Sequence, residues 1–147
     1  MTSEVQKAGR PVALLTRQES FSAAHRLWAD SLSDAENRAL YGPCANEYGH
    51  GHDYVLEVTV KGAIDPATGM VINLTDLRDA MRELVVSHVD HHHLNHDVAI
   101  CKGLNPTTEN LAVLFWDRLG TRFPGLLDEV RLRETPKNWV VYRGERT

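Results

Sequence analysis

The segment "HGHDYVLEVTVKG", His50 to Gly62, constrains the fold more than any other part of the chain. Tyr54, Leu56, Val58 and Val60 alternate with Val55, Glu57, Thr59 and Lys61. A period of two over this length belongs to a strand with one buried face, not to a helix. A sheet buried on one face needs a covering layer. Two stretches with helical periodicity, further along, are suited to supply it.

The first, about Thr75 to Val89, carries an apolar stripe of Leu74, Leu77, Met81, Leu84 and Val85. Either Asn73 or Thr75 can cap it. The second begins near Thr107 or Thr108, has Glu109 in its first turn, and turns Leu111, Leu114, Phe115 and Leu119 to the core. Upstream, "PVALLTRQESFSAAH" predicts a strand ending near His25, with Phe21, Ala23 and His25 on one face. "LWADSLSDAENRALYGPC" is polar and turn-rich, an insertion or lid with one short helical turn over Asp34 to Leu40. "AIDPATG" predicts a turn, "MVIN" a short strand, and "DHHHLNHDVAICKGLNP" an irregular loop. "EVRLRETPKNWVVYRG" predicts two strands around Pro136-Lys137-Asn138. The order ββααββ predicts an α+β fold, with both helices on one face of an antiparallel sheet.

A chain of 147 residues fits one domain with a real core, residues 1–147, with residues 1–10 expected to be frayed. A formal net charge of −4 argues against a nucleic-acid binder but leaves room for a local pocket for a small anion. Two cysteines, Cys44 and Cys101, make no disulfide framework and point to a reducing compartment. No apolar run is long enough to span a bilayer, and "MTSEVQKAGRP" lacks a signal-peptide core. The expectation is a cytoplasmic protein with no membrane or nucleic-acid partner.

The chemistry gathers around "CANEYGHGHDY". In a strand His50 and His52 project to the same side, so both rings can reach one ion. His-x-His alone also describes two packing or surface histidines. A third ligand is needed, and His25 at the end of the first strand is the best candidate. Three imidazoles with an open fourth position make a catalytic zinc site. Cys44 is either a small buried hydrophobe or, beside a cation, a thiolate base or nucleophile. Glu47 reads as a solvated loop carboxylate. "VDHHHLNHD" reads as a second metal tract, as Asp90 orienting His91 for proton transfer, or as a polar loop rich in histidine. Glu134 shares a strand face with Val130 and Leu132. It is suited to accept two hydrogen bonds from a guanine- or pterin-like ring, or to pair with Arg131 or Arg133.

Taken together, "FSAAHRL", "C…GHGHDY", "IDPATGMVINLTDLRDAM", "DHHHLN", "PTTENLA" and "RLRETPKNWVVY" resemble the 6-pyruvoyl-tetrahydropterin synthase and 6-carboxytetrahydropterin synthase family over nearly the whole chain. The resemblance implies a tunnelling fold, whose subunits join into an oligomeric barrel, as a trimer or dimer of trimers. It implies Zn2+ on His25, His50 and His52, Cys44 as catalytic cysteine, Asp90 and His91 as proton-transfer pair, and Glu134 as anchor of the pterin ring. Thr107 and Thr108 match the segment near the pterin. Arg26, beside His25, is a candidate for the cationic surface that a triphosphate needs. The implied reaction converts 7,8-dihydroneopterin triphosphate to 6-pyruvoyl-tetrahydropterin and triphosphate. The spacing C-x5-H-G-H and "LSDAENRALYGPC" look more like the pyruvoyl type than the deazapurine-pathway carboxy type. Glu47 raises a third outcome, cleavage to 6-hydroxymethyldihydropterin for folate synthesis. The reading outside enzymes is a zinc-stabilised oligomeric binding module.

Overall fold

The computed structural model describes residues 9–147. Most of the stretch expected to be frayed therefore lies outside the described residues. Strands β1 (Val12–His25) and β2 (His50–Ala63) form a long antiparallel ladder that runs from Val12 opposite Ala63 to His25 opposite His50. Strand β3 is only His92–His93 and lies parallel to Ala23 and Ala24. Strands β4 (Leu127–Thr135) and β5 (Asn138–Tyr142) extend the other side, antiparallel, giving the sheet order β3-β1-β2-β4-β5.

Among the described residues, four α-helical pieces accompany the sheet. Helix α1 (Asp34–Tyr41) begins with a capping box: the Ser33 hydroxyl accepts from the Glu36 amide and the Glu36 carboxylate from the Ser33 amide. Helix α2 (Leu74–Met81) passes through a π-type turn, Arg82–Val86, into α3 (Ser87–Val89). Helix α4 (Thr108–Gly120) starts at Thr107, whose hydroxyl accepts from the Asn110 amide. Of the alternative caps, Asn73 and Thr107 serve. Asn73 accepts the Thr75 amide at 2.9 Å.

The alternation in β2 is realised as expected. Tyr54, Leu56, Val58 and Val60 are buried, and face Leu77, Met81, Val85, Leu111, Phe115 and Leu119 from the helices. Phe21 stacks on Tyr54 with ring centroids 4.8 Å apart, and Val130 and Leu132 complete the face from β4. Each such side chain contributes about 1.5–3 kcal/mol on leaving water. The apolar face of the sheet thus ends, along β1 and β2, in His25, His50 and His52.

Three local expectations change. Met70–Asn73 forms no strand; it is a bend, and the Asn73 side chain is committed to capping α2. The His-rich segment is not wholly irregular, because the Leu94 amide donates to the Ala24 carbonyl and β3 lies along β1. The segment over α1 makes two helical turns rather than one. Asn37 on α1 is fully buried, and its amide bonds Ala29, Leu32 and Ser33, which fixes the loop before the helix. No helix of the described residues is long and apolar enough to cross a membrane.

Candidate active site

The antiparallel register builds the metal-ligand cluster. His25 and His50 are direct cross-strand partners, and His52 lies two residues along the same face. Gly49 makes the entry to β2 possible. Its φ is +73°, and a Cβ there would stand 2.4 Å from the His25 carbonyl oxygen. The loop from Cys44 therefore passes directly over the backbone of His25 before delivering His50.

The three rings meet nearly at right angles, with centroids 4.7–5.1 Å apart. One nitrogen from each lies within 4.8 Å of the others. His50 Nε2 and His52 Nε2 are 2.9 Å apart. His25 is fully buried, and its Nδ1 lies 2.8 Å from the Pro106 carbonyl oxygen. A carbonyl only accepts, so Nδ1 carries the proton and Nε2 keeps its lone pair. That Nε2 is buried without a hydrogen-bond partner. A buried polar atom without a partner is costly. A cation held jointly with His50 and His52 would satisfy it. Burial lowers the pKa of His25 and of His52, favouring the neutral imidazoles that a metal requires. The donor set fits zinc: three imidazole nitrogens, with the tautomer of His25 set from behind by a backbone carbonyl.

Glu134 stands beside the cluster. Its Oε1 is 3.6 Å from His52 Nε2, and its Oε2 accepts from the Thr108 hydroxyl at 2.5 Å. Thr108 is buried, so the carboxylate is oriented rather than free. Thr107 is occupied as the helix cap. Cys44 is half-buried in the turn Gly42–Ala45. Burial, and then the nearby Glu134 carboxylate, hold its thiol above its ordinary pKa in the protein alone. A dication on the three histidines would act in the opposite direction.

Asp90 and His91 sit elsewhere on the chain. Asp90 Oδ1 is 2.9 Å from His91 Nδ1 and accepts from the Ser22 amide at 2.9 Å. The His91 amide donates to the Ser22 carbonyl. The pair thus hooks onto the edge of β1 and keeps His91 at φ +61°. Its ring is 82% exposed, in a cleft of about 490 Å³ lined by Ser22, Gly51, His52, Asp53 and His91–His93. Neither Cys44 nor Glu134 lines that cleft. Glu47 is exposed and has no salt-bridge partner among the described residues. His92 pairs with Asp97, and His93 packs against His96. Among the described residues, metal-ligand geometry is confined to His25, His50 and His52.

The structure adds to the site Tyr54, expected from the sequence only as part of the core face of its strand, and Pro106. Tyr54 Oη lies 3.3 Å from His25 Nδ1, and burial raises the pKa of its phenol so that it stays protonated. Period two, extended from His50 and His52, would have found it. Pro106 acts through its carbonyl, which leaves no residue-type signal.

Comparison with known proteins shows the family. The family described as 6-pyruvoyl tetrahydropterin synthase matches residues 14–145. The chain belongs to that family. It is 51% identical over 137 residues to the 6-pyruvoyl tetrahydrobiopterin synthase of Drosophila melanogaster, covering 92% of this chain and 82% of that protein. It is 50% identical over 134 residues to the Homo sapiens protein of the same name, covering 90% and 92%. The solved structure of Caenorhabditis elegans 6-pyruvoyl tetrahydropterin synthase superposes with a TM-score of 0.88 at 43% identity, covering 92% of this chain and 98% of that one. The chain therefore has the tunnelling fold of the 6-pyruvoyl tetrahydropterin synthase family.

Proposed function

We propose that this chain, as one domain, is a zinc-dependent lyase converting 7,8-dihydroneopterin triphosphate to 6-pyruvoyl-tetrahydropterin and triphosphate. The observation that carries this reading is the unpartnered, buried Nε2 of His25 facing His50 and His52, with Glu134 alongside. Relatives at about half identity bear the name of this synthase.

His25, His50 and His52 would hold the zinc, whose Lewis acidity would polarise the substrate side-chain hydroxyls and acidify the attached C–H. Glu134, oriented by Thr108, accepts two N–H groups of the pterin ring and fixes its register. The Cys44 thiolate takes the proton from the side chain. The Asp90–His91 pair handles a second proton, with Asp90 holding His91 Nδ1 so that Nε2 faces outward. The overall change is an internal redox with elimination of triphosphate, so no external reductant is required.

His91 is exposed, in a cleft that Cys44 does not line. A homo-oligomer, a trimer or a dimer of trimers, would complete the site from neighbouring copies. The exposed Trp139 and Val141 on the outermost strand β5 suit such a contact. Both cysteines are unpaired, which suits a reducing, cytoplasmic setting.

Product analysis tests the assignment. Zinc-loaded protein with dihydroneopterin triphosphate is expected to give the pyruvoyl product. Predominant 6-carboxytetrahydropterin or 6-hydroxymethyldihydropterin would move the chain to the deazapurine-side or folate-side activity instead. Bound pterin without turnover would leave a binding module.

A further inference from the structure

We infer that Arg26 is a positioning residue for Cys44, setting the thiol against the metal-ligand cluster, and not part of the surface that receives the substrate's triphosphate. The inference rests on Cys44 being the base of the proposed reaction. It starts from two consecutive carbonyls in the thiol turn. The Cys44 carbonyl accepts from the Leu27 amide at 2.8 Å, and the Ala45 carbonyl accepts from Arg26 Nε at 3.0 Å. Both donors belong to the residues immediately after His25. The thiol turn is thus strapped to the chain of the buried metal ligand by two short links.

The strap has a fixed base. The Asn95 side chain holds both backbone groups of Arg26: Oδ1 accepts from the Arg26 amide at 2.7 Å, and Nδ2 donates to the Arg26 carbonyl at 2.8 Å. The Trp28 amide donates to Asn105 Oδ1. The guanidinium carbon sits 4.1 Å from the centre of the Trp28 ring, which covers one face of the group. A guanidinium receives a phosphate best through an open fork of two parallel N–H groups. Here the fork edge that includes Nε is occupied by Ala45, and Ala45 is buried. The half-buried side chain is therefore tied to the carbonyl of the residue next to Cys44.

Arg26→Met keeps much of the aliphatic stem but removes the donor to Ala45 and the charge. Arg26→Lys keeps the charge but not a donor at the Nε position. A thiol released from its strap is expected to alkylate faster. Cys44 alkylation by iodoacetamide at one fixed pH, followed by peptide mass spectrometry, reads this without turnover. Cys101, buried and with its thiol pushed up to about 11, is the internal reference.

Both variants are expected to alkylate several times faster at Cys44 and to keep bound zinc. With the pterin triphosphate, kcat falls about 10- to 100-fold while KM stays within about a factor of two. Trp28→Leu, which removes the ring beneath the guanidinium, shifts both readouts the same way by less, and serves if an Arg26 variant does not fold. Wild-type alkylation in the Arg26 variants overturns the inference whatever the turnover. So does a raised KM with kcat intact, rescued by lysine. If wild-type protein fails to convert the substrate, the proposed reaction is wrong, while the alkylation result still decides the strap.

Discussion

The carbonyl oxygen of Pro106 stands 2.8 Å from Nδ1 of His25, behind the imidazole and away from the other two ligands. This contact determines which nitrogen of a fully buried ring is free. It also ties the metal cluster to the start of α4, where Thr108 holds Glu134. The His25 ring and the Glu134 carboxylate are thus oriented by Pro106 and Thr108, two residues apart at the start of α4.

Chelation is expected to abolish turnover without unfolding the protein, because the core beneath the cluster is apolar and independent of it. Loss of the ion strands His25 Nε2, so the apo protein should be destabilised by about 1–3 kcal/mol. Metal analysis with a parallel urea titration checks both. Global unfolding on chelation would make the ion structural instead. His25→Ala should lose zinc outright.

Cys44→Ala should retain zinc and lower kcat by about 10²–10⁴, the range for removing a positioned proton acceptor. Zinc content and steady-state kinetics on one preparation suffice. A rate close to wild type would remove Cys44 from the mechanism and pass the role to another group.

Glu134→Gln should weaken pterin binding by about 1.5–3 kcal/mol, roughly 10- to 150-fold, since it exchanges a charged acceptor for a neutral amide. Thr108→Val leaves the carboxylate charged but removes the donor at Oε2. It should cost about 0.5–1.5 kcal/mol, both losses being read by fluorescence titration of the zinc-loaded variants with the pterin. Equal losses in both variants would mean that Thr108 has a direct part in binding.

Much of this was readable in the sequence, for stated reasons. The face of Tyr54, Leu56, Val58 and Val60 is written in period two, and the caps at Asn73 and Thr107 in residue type. What was not readable depends on register and backbone. Nothing in the residues of β1 says that His25 pairs with His50, since a shift of two would keep the same face inward. Pro106 contributes only a carbonyl, which every residue has. The π-type turn at Arg82–Val86 lies in a sequence with ordinary helical periodicity. The place of His91 at the edge of β1 follows from β3 docking on Ala23 and Ala24, a parallel contact of two residues with no pattern to detect.

Asp90 gives a pH signature in stability. The Ser22 amide, and next to it the His91 ring, hold its carboxyl below the ordinary carboxylate value. A group lowered on folding contributes stability that is present above its unfolded pKa, and that is lost as pH falls through its folded value. Denaturant midpoints of wild type and Asp90→Ala should therefore differ near pH 7 and converge below about pH 4. A gap of the same size at both ends would show that Asp90 acts through packing rather than charge.

His91 tests whether chemistry or folding holds a residue in an unfavourable conformation. At φ +61° a side chain with a Cβ is strained, and the ring is largely exposed, so packing returns little for that strain. Glycine takes this conformation freely, although it also loosens the unfolded chain. His91→Gly should therefore lie within about 1 kcal/mol of wild type, on the stabilising side. Its turnover should still fall by about 10²–10⁴, as expected for loss of a proton-transfer group. A urea midpoint and a rate measurement on the same sample decide the matter. Marked destabilisation would assign His91 to the fold, and unchanged turnover would separate it from the reaction.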